Sequence, residues 1–103
     1  MSTTLTIPVA GRYFDQIRAG AKPEEYRLRS PFWRKRLVGR EYRRLVLTRG
    51  YPKGGGVEGV TRLTLPWAGY SERTITHEFF GPQPVEVFAI RTDSGQIEGE
   101  IAA

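Results

Sequence analysis

The sequence predicts a single α+β domain dominated by strands, and three observations carry that expectation. Apolar and polar side chains alternate with period two near the start, one helical face follows at Phe14 and Ile17, and beyond Arg43 the apolar runs are short and fenced by glycine or proline. With 103 residues, 39% of them hydrophobic, the chain has material for one modest core and no room for a second domain. Residues 1–91 are assigned to that domain and 92–103 to a polar C-terminal tail.

The elements follow in order. Leu5, Ile7 and Val9 alternate with polar positions, the pattern of a half-buried strand. Over 10–19, Ala10, Phe14 and Ile17 share a helical face with Tyr13 beside them, and Gly20 follows as a C-terminal cap. Pro23 interrupts the polar stretch 22–29, which reads as a loop entering a short strand. Ser30-Pro31 is a helix cap with proline at the first helical position, and Trp33 and Leu37 form an i, i+4 pair before Gly39.

The second half reads as strands. Leu45-Val46-Leu47 centres a buried strand at 43–48, and 50–56 is a glycine-rich connection. A long strand is expected at 57–65, with Val57, Thr61, Leu63 and Leu65 on one face. Residues 66–70 form a loop. Stretch 74–80 fits either a β segment or one helical turn, 81–84 breaks the chain, and 85–91 closes the domain as a strand. Four or five strands and two short helices result, with a small barrel as the arrangement that spares short strands an exposed edge.

Composition excludes several classes. The chain has no cysteine and a single histidine, His77, so a disulfide framework, a thiolate metal site and a multi-histidine zinc centre are all ruled out. No metal or cofactor is expected. Neither a secretory signal nor a stretch apolar enough to span a bilayer is found, so a cytoplasmic protein with no membrane partner is expected. Net charge is +5 and unevenly spread: residues 1–50 carry +8 and residues 51–103 carry −3. Thirteen of the sixteen basic residues are arginine, whose planar fork suits phosphates and base edges.

Chemistry concentrates at 20–27. Gly20, Lys22, Glu25 and Arg27 form a Gly-x-Lys-x-x-Glu-x-Arg pattern directly after the first strand and helix, preceded by Tyr13, Phe14 and Ile17. The arrangement resembles the ASCH family of the PUA-like superfamily. The resemblance spans roughly 4–91, with the specific residues at 13–27. It implies a β pseudo-barrel with two short helices, a helix-lined cleft, and RNA-related work. Some members remove the acyl group from N4-acylated cytidine, and one is described as a ribonuclease. In the amidohydrolases the motif lysine is catalytic, matched here by Lys22; Glu25 stands where they carry a threonine. A glutamate from the second half moves protons, for which Glu58, Glu72, Glu78 and Glu86 are the candidates, with Glu58 put forward.

The residues also speak for themselves. On a strand over 24–27, Glu25 and Arg27 share one face and Glu24 and Tyr26 the other. Glu25 can accept from a ligand amine while Arg27 grips a carbonyl or phosphate oxygen. The bland reading is an ion-pair network of Lys22, Glu25 and Arg27 that pins a loop. Trp33, Tyr51 and Trp67 interleave with Arg29, Arg34, Arg36, Arg49 and Lys53, a mixture suited to base stacking and phosphate neutralisation, with Tyr51 as a rim residue and Trp33 divided between core and platform; Tyr26 is put forward as a binding residue beside Lys22, Glu25 and Arg27. The glycines around Lys53 lack Walker spacing and read as a flexible hairpin. His77 reads as a structural group, with catalysis the minor alternative. The leading expectation is a module that binds RNA or a modified nucleoside; an N4-acylcytidine amidohydrolase comes second, a ribonuclease third, and a ligand-free adaptor last.

Overall fold

The structure, a computed structural model, describes residues 3–93. Strand β1 (Thr4–Val9) turns Leu5, Ile7 and Val9 into the core and leaves Thr6 exposed and Pro8 partly so. Helix α1 (Gly11–Arg18) buries Tyr13, Phe14 and Ile17 against it, while Ala10, expected on the buried face, is the exposed N-cap. The helix ends where Gly20 takes φ 80°, the left-handed conformation that spares glycine a Cβ clash. Gly20 N–H donates to Ile17 and Ala21 N–H to Gln16, at 3.0 and 2.8 Å, the paired bonds of a Schellman cap. That cap turns the chain sharply and delivers Lys22 into β2 (Glu24–Leu28).

Helix α2 (Pro31–Leu37) forms as its cap chemistry demands: the Ser30 hydroxyl accepts from Trp33 N–H at 3.4 Å and Pro31 occupies the first turn. It anchors through Leu37, which is fully buried, and leaves Arg34 and Lys35 in solvent. Four consecutive buried residues, Leu45 to Thr48, make β3 (Arg44–Arg49) a strand covered on both faces. Strands β4 (Arg62–Pro66), β5 (Tyr70–His77) and β6 (Gly81–Arg91) complete a strand-dominated α+β chain.

The strands form two three-stranded sheets, ordered β1-β3-β4 and β2-β6-β5. β1 and β3 run parallel, with Leu5 opposite Leu45 and Ile7 opposite Leu47; every other pairing is antiparallel. One core joins them, built from Ile7, Phe14, Ile17, Leu37, Leu47, Phe88 and Ile90. Among the described residues no closed barrel forms. The consequence for function is that β1 and β2, each an outer strand of its sheet, meet at an unclosed seam.

Several expectations shift. The strand expected at 57–65 shrinks to Arg62–Pro66, with Val57 63% and Val60 55% exposed. Gly56 and Gly59 hold φ of 95° and 82°, and the Thr61 hydroxyl accepts from Val57 N–H at 2.9 Å, which folds the segment into a turn. Residues 81–84 do not break the chain, because β6 runs through Pro82 and Pro84. β2 reaches only to Val87, so that half of β6 has a single neighbour, and a register shift between Ile75 and His77 absorbs the missing amides. Stretch 74–80 is both things expected of it in turn, strand to His77 and then a 3-10 turn at Glu78–Phe80. The chain thus has six strands where four or five were expected.

Of the tail expected at 92–103, residues 94–103 lie outside the described residues. Thr92 belongs to the packed domain: it is 1% exposed, donates its hydroxyl to the Lys22 carbonyl at 2.8 Å, and donates its N–H to the Pro23 carbonyl at 2.8 Å. The end of β6 therefore clamps the backbone of the motif loop.

Candidate functional site

A cleft of about 750 Å³ opens at the seam between the sheets, with Thr6 and Pro8 of β1 on one side and Glu25 to Leu28 of β2 on the other. Arg27 spans the seam. Its Nη2 donates to the Pro8 carbonyl at 2.6 Å, and its Nη1 donates to Glu25 Oε2 at 2.6 Å and to the Tyr26 carbonyl at 2.8 Å. Glu25 also faces Lys22, whose Nζ stands 3.4 Å from Oε1. The three side chains are 11%, 7% and 20% exposed in the order Lys22, Glu25, Arg27, so they form a largely dry triad of two cations around one carboxylate.

Lys22 is enclosed more fully than its spacing foretold. Its ammonium donates to the Glu24 carbonyl at 2.7 Å and lies 4.5 Å from the Tyr26 ring centre and 5.4 Å from that of Tyr13. A carboxylate, a carbonyl and two π faces all suit a positively charged nitrogen. The alternation expected along β2 holds for Glu24, which turns away to Arg73, held at 2.7 and 2.5 Å. The Tyr26 hydroxyl follows Glu24, 3.4 Å from its Oε1, while the Tyr26 ring lines the cleft beside Lys22. Burial above all, and then the Glu24 charge, push the Tyr26 phenol up from its ordinary value.

Aromatic groups wall this floor. Trp33 settles between the two roles open to it: half-buried, it packs on the core while its ring meets the Arg27 guanidinium at 5.6 Å and lines the cleft. Tyr51 is 90% exposed at the rim, and Phe32 and Phe79 are 54% and 65% exposed beside it. Large exposed rings thus surround a concave, charged floor.

The other sequence-selected residues lie elsewhere. Arg49 holds Asp15 at 3.1 and 3.2 Å, tying α1 to the end of β3 and holding the Asp15 carboxyl below its ordinary value. Lys53 sits exposed in the 3-10 turn Lys53–Gly55, outside the cleft lining. Glu58 accepts from the Thr64 N–H and hydroxyl, both at 2.7 Å, and so pins its own loop. Glu72 and Glu86 pair with Arg29, at 2.7 and 3.3 Å, and Glu78 pairs with Arg12 while standing 3.5 Å from the Tyr13 hydroxyl. Among the described residues the ion pair of Lys22 is with Glu25, from its own half of the chain.

Sequence reasoning passed over Phe32, Phe79 and Phe80 and gave His77 a minor part; all four line the cleft. His77 Nδ1 accepts from Phe79 N–H at 3.1 Å, fixing the turn that presents the two phenylalanines, and its ring packs edge-on against Tyr13. The only advance signal was an imidazole two positions before a pair of adjacent phenylalanines. Among the described residues no cluster of His, Asp and Glu fits a metal ion, and no helix is long and apolar enough to cross a membrane. Compared with family models, curated proteins and solved structures, the chain finds no match.

Proposed function

We propose that the chain is a PUA-like domain of the ASCH kind whose cleft binds a nucleobase, presented by RNA or by a modified nucleoside. One observation carries the reading: the Lys22–Glu25–Arg27 triad forms the floor of an aromatic-walled cleft large enough for such a ligand. Stacking on Tyr51, Phe32 or Phe79 holds the flat face of a base, while the net positive floor favours a carbonyl or phosphate oxygen. Glu25 keeps lone-pair capacity for an exocyclic amine, since a carboxylate offers about four acceptor positions. Gathering the motif residues in one cleft is also what the ASCH resemblance implies, although the PUA-like pseudo-barrel requires more closure than the two open sheets supply.

Binding is favoured over hydrolysis on a specific ground. An amidohydrolase lysine acts on the substrate directly, whereas Lys22 Nζ is taken up by the Glu24 carbonyl and the Glu25 carboxylate. The test is titration with N4-acetylcytidine, the four ribonucleosides and short RNA, with products followed by mass spectrometry. Binding without turnover is expected, with RNA affinity falling as salt rises. Arg27→Ala should cost about 1.5–3 kcal/mol of binding, the scale of a lost charge-assisted hydrogen bond, and Lys22→Ala should weaken binding in the same direction. Absence of binding, or affinity untouched by both substitutions, refutes the proposal; turnover abolished by Lys22→Ala replaces it with the amidohydrolase.

A further inference from the structure

A second concavity, of about 920 Å³, lies on the far side of α2, where Lys35, Arg36, Gly39, Arg40, Glu41 and Tyr42 face the start of β1. Arg36 lines both this groove and the aromatic cleft, so the two are neighbours across one side chain. Its guanidinium lies 3.4 Å from the Phe32 ring centre and donates Nη1 to the Phe32 carbonyl at 3.0 Å. The fork is therefore held in place by the helix, with most of its five N–H donors unspent.

The cations around it differ from most of those elsewhere, Arg18 and Lys53 being the others without an ion pair among the described residues. Arg12, Arg27, Arg29, Arg49, Arg62, Arg73 and Arg91 each hold a carboxylate. Among the described residues, no ion pair involves Arg34, Lys35, Arg36, Arg40, Arg43 or Arg44. Glu41 is the single acid within 34–44 and it lines the groove, where three cations outnumber it. A run of exposed cations with no carboxylate beside it raises the local positive potential and attracts an outside anion.

We infer that the ligand is a single-stranded RNA rather than a free nucleoside, with one base in the cleft and the adjoining phosphates running over Arg36 into the Lys35–Arg40 groove. The inference rests on the nucleobase reading of the cleft and adds a polymer and a direction to it. A free nucleoside has no phosphate to offer Arg36, and a mononucleotide reaches Arg36 at most. Successive phosphates use the whole path from Arg36 to Arg40, and their counterions are released in proportion. Aromatic rings at one end and unpaired arginines at the other match the way single strands are held, by stacking and by backbone neutralisation.

The experiment compares a fluorescein-labelled RNA octamer of random sequence with the four ribonucleosides and N4-acetylcytidine, using wild type and Lys35→Gln/Arg40→Gln, both checked for folding by circular dichroism. For three neutralised phosphates, octamer affinity should fall about twentyfold between 50 and 200 mM salt. The double variant should flatten this to about threefold, with nucleoside affinity unchanged. Nucleoside binding with an octamer salt response that the variant leaves intact overturns the RNA path and spares the cleft reading. Failure of every probe overturns both. Polyglutamate competing as well as RNA marks a general polyanion patch and also overturns the inference.

Discussion

The cleft floor and the 34–44 segment are both rich in cations, yet they treat charge in opposite ways. On the floor, Lys22 and Arg27 are buried around Glu25, and each charge is met by another or by a carbonyl. Along α2 and into β3, the cations are exposed or, at Arg36, half-buried, and none forms an ion pair among the described residues. Taking a charge out of water costs several kcal/mol unless it is paired, whereas an exposed charge keeps its hydration and costs little. The floor must therefore be satisfied from within, and the segment can afford to wait for a partner. Stability and binding should accordingly separate between them.

The largest expected effect breaks the floor. Glu25→Ala leaves two largely buried cations without their shared carboxylate and should cost about 3–5 kcal/mol of folding stability, read from urea denaturation. A loss below about 1 kcal/mol would mean that water reaches the triad freely, and the contrast between the regions would fall.

The next effect is on the Tyr26 phenol beside Glu24. Its folded-state value lies above the ordinary value of 10.0, so the protonated form is favoured by folding. The stability it contributes is complete below pH 10 and is lost as pH rises through the higher folded value. Phenolate absorbance should show one tyrosine ionising late, and Tyr26→Phe should remove that late step.

The smallest effect tests the segment itself. Arg34→Gln and Arg43→Gln should each change stability by no more than about 0.5 kcal/mol, the range of exposed substitutions. A larger loss would show that these cations serve the fold rather than a ligand.

The sequence made some of this legible and hid the rest for physical reasons. Local chemistry spoke clearly: Ser30-Pro31 capped α2, Gly20 closed α1, and the period-two rule separated Glu25 and Arg27 from Glu24. The triad was visible because its members lie within six positions. Partners across the fold were not visible. That Arg27 reaches Pro8, Thr92 clamps Lys22, and Phe79 packs edge-on against Tyr13 depends on which strands become neighbours, and spacing carries no record of that. Arg49 failed as a cleft residue for the same reason, since Asp15 claims it from the other side of β3. Pro82 and Pro84 misled because proline bars a strand only where both edges are paired.

The contact between Arg27 and Pro8 also bears on what the seam refuses. An outer strand normally shows a row of bare amides and carbonyls on which a stray chain can add itself as another strand. On the cleft side of β1, Pro8 has no amide hydrogen to give, and its carbonyl is already occupied by a guanidinium anchored to Glu25. At Pro8, therefore, the edge of β1 has neither an amide to donate nor a free carbonyl to offer an added strand. The arginine that anchors the triad thus also blunts the edge of β1 at that position.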